Sequence, residues 1–574
     1  MRDPILVGVI GNRLASILNE QQSALVNTAF SAVVRESLDL ACGVFDSRGE
    51  MVGQSVGGTP GHINAMATGM RHFVAAYPPE RLVPGDVLLT NDPWLTAGQV
   101  NDFTVATPVF RGEALVAWFA TCCHAPDIGG RILSAAATEV YEEGLRLPIM
   151  RLFHAGQVNE DLIAIVRENV RTPDETIGDL YAQVAANEVG ARSLLGLMEE
   201  FGLATIDPVA DEIMARSETA LRRALAAMPD GTHTARLETD GFGEETLLLQ
   251  AAVTIAGDEI HIDFAGSSPE SRYGINVVLN YTRAYASFAV KAAIAPEVPH
   301  NAGSFRPVHV TAPSGSVLNC RPPAPVASRH LVGHFLPSLL FTALQPAMPG
   351  KLLAQSADAL WMTVWRGRTP DDAEFMETVF QAGGAGGRAV KDGLSTTGFP
   401  TGVRAAPTEV IETLTPLVQL RRELRPDSGG AGEWRGGLGQ FTDVECRTET
   451  EWTVNANIDR TLFPASGAAG GGAGAVGSIT RADGSPIPRK QLVRLSPSDR
   501  VQLQMPGGGG YGDPYDRDPS LVLRDVVDGY VSVEAARAAY GVAVRYTGPA
   551  DALVRPPSAY ELDDAETARL RGRG

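Results

Sequence analysis

Two apolar segments joined by a short turn constrain the fold most. Residues 103–110 and 114–123 are rich in β-branched and aromatic side chains, and only residues 111–113, which include a glycine, separate them. Segments of this kind at this spacing predict a β-hairpin. Because the strands of a hairpin are antiparallel, residues that enter the first strand lie at the same end as residues that leave the second. The sequence therefore predicts that polar residues flanking the hairpin meet at one rim.

The polar residues at this rim have side chains that can bind a metal ion. Asp92, Gln99 and Asp102 enter the first strand, and His124 and Asp127 follow the second strand. Carboxylate oxygens with an imidazole suit Mn, Fe or Zn, and an incomplete set of protein ligands leaves positions for water or substrate. Aspartates at strand ends also cap turns. The residues alone therefore leave two interpretations, a metal site and a polar hairpin end.

The acidic composition excludes one class of partner. The 574 residues carry a net charge of −19, whereas a protein that binds nucleic acid needs a basic surface. The sequence has no apolar run of the length that a membrane span requires, and its first residues show no signal-peptide cleavage site. The five cysteines include no CxxC pair. We predict a cytoplasmic protein that binds neither nucleic acid nor membrane.

Periodicity predicts an α+β protein of several domains, with antiparallel and mixed sheets, a helical arm and Gly-rich loops. We predict an N-terminal α/β domain with the metal site at 1–155, a helical region at 156–230, a central mixed α/β domain at 231–400, and a Gly-rich β domain with a C-terminal helix at 401–574.

Within these domains the pattern predicts a long opening helix over residues 5–35. The segment 315–320 has the composition of a strand, and 518–541 that of one capped helix.

Glycine becomes frequent from about residue 380 onward, in runs that alternate with well-patterned strands. Such runs are often flexible linkers, but the alternation favours tight loops that bring backbone close to a site. None of the runs is a GxGxxG or GxxxxGK[ST] fingerprint between a strand and a helix. If ATP is used, we therefore expect another chain to bind it, and we assign no ATP-binding residue here.

The sequence resembles the hydantoinase B/5-oxoprolinase family, whose relatives include the catalytic subunits of ATP-dependent acetone and acetophenone carboxylases. The matching segments span essentially the whole chain in the family's order. They are GTPGHINAMA (58–67), PGDVLLTNDPW (84–94), HAPDIGG (124–130), YEEGLRLPIMRL (141–152), NVRTPDETIGDL (169–180), IDFAGSS (262–268), RPPAPVASRH (321–330), DGLSTTGFPTGVR (392–404), LRPDSGGAGEWRGGLG (424–439) and PGGGGYGDPYDRDP (506–519).

The resemblance implies a two-component enzyme. A separate hydantoinase A-like subunit binds ATP and phosphorylates the amide or enol oxygen of the substrate, and the B-type subunit receives the activated molecule at a divalent metal. We therefore expect a hetero-oligomer that acts on a cyclic amide, with ATP used by the partner and Mn, Zn or Fe in this chain. The missing phosphate loop fits this division.

The resemblance also implies which residues hold the metal. In the family a His-x-x-Asp pair after the NDP turn and a later histidine are the ligands. Asp102 and His124 match two of these positions, whereas Gln99 stands where the family has the first histidine. An amide oxygen is a weaker, neutral ligand than an imidazole. Asp127 would complete the shell or orient His124.

His62 and Asp92 match family positions around this site, and we assign one of them to moving the proton of the attacking water. The leading hypothesis is metal-assisted hydrolysis of a cyclic amide activated by phosphorylation. A ketone carboxylase, in which a phosphorylated enol attacks carbon dioxide, would use the same fold. A third hypothesis is a metal-free scaffold subunit, marked by Gln99.

Overall fold

The computed structural model describes residues 4–549 and 551–572. It is an α+β structure, as predicted. The α-helices are α1 (Pro4–Thr28), α2 (Ala32–Arg35), α3 (Pro60–Ala76), α4 (Glu160–Asn169), α5 (Pro173–Glu200), α6 (Asp207–Ala226), α7 (Leu279–Ile294), α8 (Ala302–Phe305), α9 (His330–Gly333), α10 (Leu336–Leu344), α11 (Thr408–Leu414), α12 (Pro519–Val527), α13 (Val533–Tyr540) and α14 (Asp564–Leu570). Among the described residues, no helix has the length and apolarity needed to cross a membrane.

The strands form five sheets. They are β1 (Leu40–Phe45), β2 (Met51–Gln54), β3 (Val87–Thr90), β4 (Asp102–Arg111), β5 (Ala114–His124), β6 (Met150–His154), β7 (Gln157–Val158), β8 (Gly231–Phe242), β9 (Glu245–Ala256), β10 (Glu259–Asp263), β11 (Val308–Thr311), β12 (Trp361–Arg368), β13 (Glu374–Gln381), β14 (Leu417–Leu424), β15 (Gln440–Cys446), β16 (Trp452–Asn457), β17 (Ser478–Arg481), β18 (Leu492–Leu495), β19 (Arg500–Gln504), β20 (Val544–Tyr546) and β21 (Tyr560–Leu562).

The predicted hairpin is the centre of the largest sheet. This seven-stranded sheet has the order β2-β1-β5-β4-β3-β6-β7, and its neighbouring strands are antiparallel. β4 pairs with β5 so that Asp102 lies opposite His124. The prediction that the polar groups at the start of β4 and the end of β5 share one rim is therefore confirmed for these two residues.

Both faces of this sheet are covered by helices, which explains why β5 is buried on both faces from residue 116 onward. Successive side chains of a strand point to opposite faces. Phe119 belongs to the core that includes Leu14 of α1 and Leu194 of α5, whereas Trp118 belongs to the core that includes Met70 of α3. The sheet thus lies between α1 and α5 on one face and α3 on the other, and α3 extends to the rim where the hairpin's polar residues lie.

The remaining sheets are smaller. The order β11-β10-β9-β8 forms a mixed sheet in which β10 and β11 are parallel, and α10 packs against β8 and β9. The two antiparallel sheets β13-β12-β16-β18 and β14-β15-β19-β17 enclose a common apolar core. Antiparallel and mixed sheets, the three helices of the arm (α4, α5 and α6) and the Gly-rich loops agree with the predicted fold class. The four domain ranges stay a prediction.

Three local predictions were wrong. The opening helix ends at Thr28, before a second short helix. Residues 315–320 form isolated bridges rather than a strand, because Gly315 turns the chain with a φ of +85°. The C-terminal segment 518–541 is two helices, α12 and α13, separated at Gly529, whose φ of +75° is unfavourable for a helix.

The Gly-rich segments pack backbone against backbone. We call residues 383–387, 428–439, 465–475 and 506–512 the glycine layer. The N–H of Gly508 donates to Gly437 O at 3.0 Å, and the N–H of Gly437 donates to Ala385 O at 2.8 Å. A Cβ on Gly507 would lie 1.7 Å from Ser428 O. The glycines are needed because carbonyl oxygens of neighbouring segments occupy the space of a side chain, so these runs are not flexible linkers.

Candidate functional site

The Asp102 carboxylate is the centre of a buried polar cluster at the rim of the large sheet. It is fully buried. Oδ1 lies 2.9 Å from His124 Nδ1, and Oδ2 lies 3.1 Å from His62 Nε2 and also contacts the Arg329 guanidinium. One carboxylate therefore binds two imidazoles and a guanidinium.

Three separate elements position these groups. Asp102 and His124 face each other because they begin β4 and end β5. His62 lies in the first turn of α3, where its backbone N–H donates to the side chain of Thr59, the N-cap. Arg329 directly precedes α9 and stacks on the ring of Tyr281, with its guanidinium carbon 4.2 Å from the ring centroid.

Gln99 joins the cluster through the arginine. Its Oε1 accepts a hydrogen bond from Arg329 Nη1, and its Nε2 donates to Ala327 O. The guanidinium therefore lies between Gln99 and Asp102. The third donor of the guanidinium, Nε, bonds to Ala97 O at 2.7 Å. The side chain of Arg329 is 4% exposed, so these contacts form away from bulk water.

The other two predicted residues make different contacts. Asp127 accepts hydrogen bonds from the backbone and the guanidinium of Arg171, in the segment before α5. Asp92 accepts a hydrogen bond from the backbone N–H of Trp94 at 3.0 Å, within its own turn. Of the predicted residues, the structure thus brings together Gln99, Asp102, His124 and His62. The two histidines contact the carboxylate of Asp102, and Gln99 joins them through Arg329. The carboxylates of Asp92 and Asp127 fasten loops instead.

The electrostatics of the cluster favour charged groups at its centre. Burial would raise the pKa of Asp102, but the charges of Arg329 and His62 and its hydrogen bonds lower that pKa far below its usual range. Burial would lower the pKa of His62, but the carboxylates of Asp102 and Asp39 raise it. His62 therefore binds a proton more readily than an ordinary histidine does.

A second group of histidines beside the cluster has the opposite behaviour. Burial, followed by the charge of Arg329, lowers the pKa of His330 to about 3, and burial also lowers the pKa of His334. Neither ring nitrogen of His330 has a hydrogen-bond partner among the described residues. These two imidazoles are neutral near pH 7, so the cluster contains both a readily protonated histidine and neutral ones.

Part of the cluster lines a small cavity that shares wall residues with a larger cleft. The cavity has a volume of about 30 Å³, and its wall includes His62, Gln99, Tyr281, Arg329, His330 and His334. It shares Leu360, Phe380, Thr401 and Val403 with an open cleft of about 650 Å³. The cleft is also lined by Arg404 and Arg422. A small molecule with negative charge would therefore meet cationic side chains in the cleft beside the cavity.

Sequence reasoning missed Arg329, His330 and His334. Arg329 and His330 lie at the end of the segment 321–330 that carries part of the family resemblance, and His334 follows it. The signal that could have found them is the pair Arg329-His330 at the start of an otherwise apolar helix, where a charged residue needs a buried partner.

The ligand atoms expected to hold a metal are already engaged. Both oxygens of Asp102 and Oε1 of Gln99 contact His62, His124 or Arg329. Of the side chains expected to hold the metal, His124 alone has a buried atom, Nε2, without a hydrogen-bond partner among the described residues. In this arrangement the residues do not present a shared open set of ligand atoms, and they do not fit a divalent ion without displacing the guanidinium.

A different cluster does bring such atoms together. Among the described histidine, cysteine, aspartate and glutamate side chains, those of Glu259, His261 and His309 place one ligand atom each within 4.8 Å of one another. His261 on β10 and His309 on β11 are paired neighbours, with stacked rings 4.6 Å apart. Arg222 also binds Glu259, at 3.1 Å. This triad lies on the mixed sheet rather than at the predicted rim.

Comparisons with known proteins agree with the fold and the motifs. The family model described as Hydantoinase B/oxoprolinase matches residues 3–514. The caprolactamase subunit beta of Pseudomonas jessenii is 32% identical, over 96% of this chain and 97% of that protein.

Two solved structures are also similar. The crystal structure of the ATP-dependent caprolactamase from Pseudomonas jessenii superimposes with a TM-score of 0.90 at 28% identity, and the match covers 100% of both chains. A nucleotide-free acetone carboxylase structure gives a TM-score of 0.86 at 21% identity, over 100% of this chain and 83% of that chain, and shows the shared fold alone. The chain belongs to the Hydantoinase B/oxoprolinase family.

Proposed function

We propose that this chain is the B-type subunit of an ATP-dependent cyclic amide hydrolase. A hydantoinase A-like partner subunit phosphorylates the amide oxygen, and this chain hydrolyses the activated product. The observation that carries the proposal is His62, which lines the cavity. Its buried Nδ1 makes no hydrogen bond among the described residues and lies 3.6 Å from Asp39 Oδ1, while its Nε2 lies 3.1 Å from Asp102. Family membership and the similarity to a caprolactamase subunit support the cyclic amide as substrate.

Phosphorylation makes the amide carbon reactive. In an unactivated amide the nitrogen donates electrons into the carbonyl, and water attacks slowly. With phosphate on the oxygen, water adds to the carbon, the C–N bond then breaks, and an acyl phosphate remains. A second water hydrolyses the acyl phosphate to a carboxylate and inorganic phosphate. The first addition requires a base, and the departing nitrogen requires a proton.

One imidazole can perform both proton transfers. Nδ1 of His62 accepts one proton of the attacking water and passes it to the nitrogen of the substrate ring. It then takes the proton of the new hydroxyl group and delivers it to the same nitrogen, as the carbonyl of the acyl phosphate forms and the C–N bond breaks. Asp102 holds the ring through Nε2 and stabilises the imidazolium, as a buried carboxylate does in hydrolases with a histidine base. His124 holds the other oxygen of Asp102 at 2.9 Å, so we assign it a positioning role.

The cleft suits an anionic activated substrate. A phosphorylated amide carries negative charge, and Arg404 and Arg422 line the cleft that leads to the cavity. The apolar lining residues shared by cavity and cleft, among them Leu360 and Phe380, exclude water from the reacting carbon.

The test uses the complex purified with its partner from the native host. We expect ADP release that depends on a lactam, a hydantoin or 5-oxoproline, with the ring-opened product seen by mass spectrometry. His62→Gln should lower the rate about 100-fold or more. His72→Gln, on the same helix but away from the cavity, is the matched control and should leave the rate unchanged.

Other outcomes point to the competing hypotheses. Incorporation of labelled bicarbonate into a ketone, without lactam hydrolysis, would identify a ketone carboxylase. A stable complex in which His62→Gln turns over as fast as the wild type would place the proton transfer elsewhere. A complex whose partner turns over substrate equally well without this chain would identify a scaffold.

A further inference from the structure

The Arg329 guanidinium is held in a fixed position from several sides. Nη2 contacts Asp102, Nη1 contacts Gln99, and Nε donates to Ala97 O. The ring of Tyr281 lies against its face. Because these directional contacts already fix the planar guanidinium, its side chain loses little further conformational freedom when another group binds it.

The segment that carries Arg329 is also fastened. One oxygen of the buried Glu143 accepts hydrogen bonds from the backbone N–H groups of Val326 and Ala327. Gln99 Nε2 donates to the carbonyl of Ala327, two residues before Arg329. Gln99 thus orients the loop through its amide nitrogen and binds the guanidinium through its amide oxygen. An imidazole at position 99 could not form both contacts in the same geometry, so Gln99 and Arg329 suit each other.

The guanidinium occupies the space that a metal ion would need at this rim. A divalent ion held by Asp102 would take an oxygen from that carboxylate and one from position 99. Those oxygens bind Arg329 instead. The site therefore has a positive charge supplied by the chain itself.

We propose that Arg329 replaces the metal ion in this chain. It neutralises Asp102 and directs its remaining N–H groups into the cavity, where they bind an oxygen anion of the activated substrate. A guanidinium has five N–H donors, and three of them are engaged by Ala97, Gln99 and Asp102. The two others belong to a side chain that lines the cavity. This proposal rests on the proposed function, which supplies the anionic substrate.

Metal content tests the proposal without requiring turnover. Because Glu259, His261 and His309 are a separate candidate site, all proteins should carry His309→Ala. After dialysis against Zn²⁺ and then against buffer, elemental analysis should find no retained zinc in the protein with Arg329 intact. The protein with Gln99→His and Arg329→Asn should bind zinc at least about 10-fold more tightly than the protein with Arg329 intact.

Anion binding tests the second half of the proposal. Inorganic phosphate is titrated by calorimetry into the full chain. It should bind at least about 10-fold more weakly to Arg329→Met than to the wild type. Arg329→Lys should have an intermediate affinity, because lysine retains the charge but not the planar set of N–H donors. Circular dichroism spectra should match between variants. If Arg329→Met does not fold, the lysine variant and the metal analysis of the Arg329-intact protein still decide the question.

Two results would overturn the proposal. One is stoichiometric metal in the Arg329-intact protein that Asp102→Asn removes. The other is equal phosphate affinity in folded Arg329→Met and wild type. A complex without hydrolase activity would instead contradict the proposed function and leave these binding results unaffected.

Discussion

Two glycine-to-alanine substitutions in the glycine layer should have opposite effects on stability. A Cβ on Gly507 would lie 1.7 Å from Ser428 O, whereas a Cβ on Gly472 would lie 3.4 Å from its nearest neighbour, Ala431 O. Neither glycine has a left-handed φ, so backbone strain does not separate them. The two positions differ in the space that is available for one methyl group.

The magnitude for Gly507→Ala follows from the bonds around it. Ser428 O accepts from the N–H of Ala475, and the N–H of Gly507 donates to Ala475 O. Making room for the methyl group separates these segments and weakens both bonds, at about 1 kcal/mol each. Overpacking adds about 1–3 kcal/mol. We expect a loss of about 3–5 kcal/mol, against a gain of up to about 1 kcal/mol for Gly472→Ala, which restricts the unfolded chain.

The assay is guanidinium unfolding, followed by tryptophan fluorescence and compared between the two variants and the wild type. Gly507→Ala should shift the midpoint to a lower denaturant concentration, and Gly472→Ala should leave it unchanged or raise it. Equal midpoints for the two variants would refute the reasoning, because they would show that the neighbouring backbone yields at no cost.

Two further predictions concern buried charges. Arg517→Met should destabilise the folded protein by about 3–5 kcal/mol, because the fully buried guanidinium pairs with Asp525 at 2.7 Å. Arg13→Met, at an exposed ion pair, should cost less than about 1 kcal/mol. Thermal unfolding of both variants measures the difference. Burial raises the pKa of Glu377 to about 8, so the folded state holds a proton that the unfolded state loses above about pH 4.5. Stability should therefore fall as the pH rises from about 5 to 8, and Glu377→Gln should flatten that fall; identical pH profiles of the unfolding temperature would contradict this assignment.

Local patterns predicted the elements better than they predicted the contacts between distant elements. Alternation and turn residues gave the hairpin, and antiparallel pairing then placed Asp102 opposite His124. The contact between Arg329 and Asp102 joins residues 227 positions apart, and no periodicity reports on such a pair. Asp127 lies three residues after His124 and was a plausible companion for it, but Arg171, 44 residues further along, binds its carboxylate.

The glycine layer also determines the order in which the chain can fold. Residues 383–387 bond to 506–512, and residues 428–439 bond to both. During synthesis, the first two segments leave the ribosome long before their last partner exists. The backbone groups of these two segments that bond to residues 506–512 remain unpaired until that last segment is synthesised. Such non-local pairing slows folding and exposes edges to other chains. Chaperone demand during synthesis should therefore concentrate on this half of the chain, while the helices of the arm, whose backbone hydrogen bonds are local, form early.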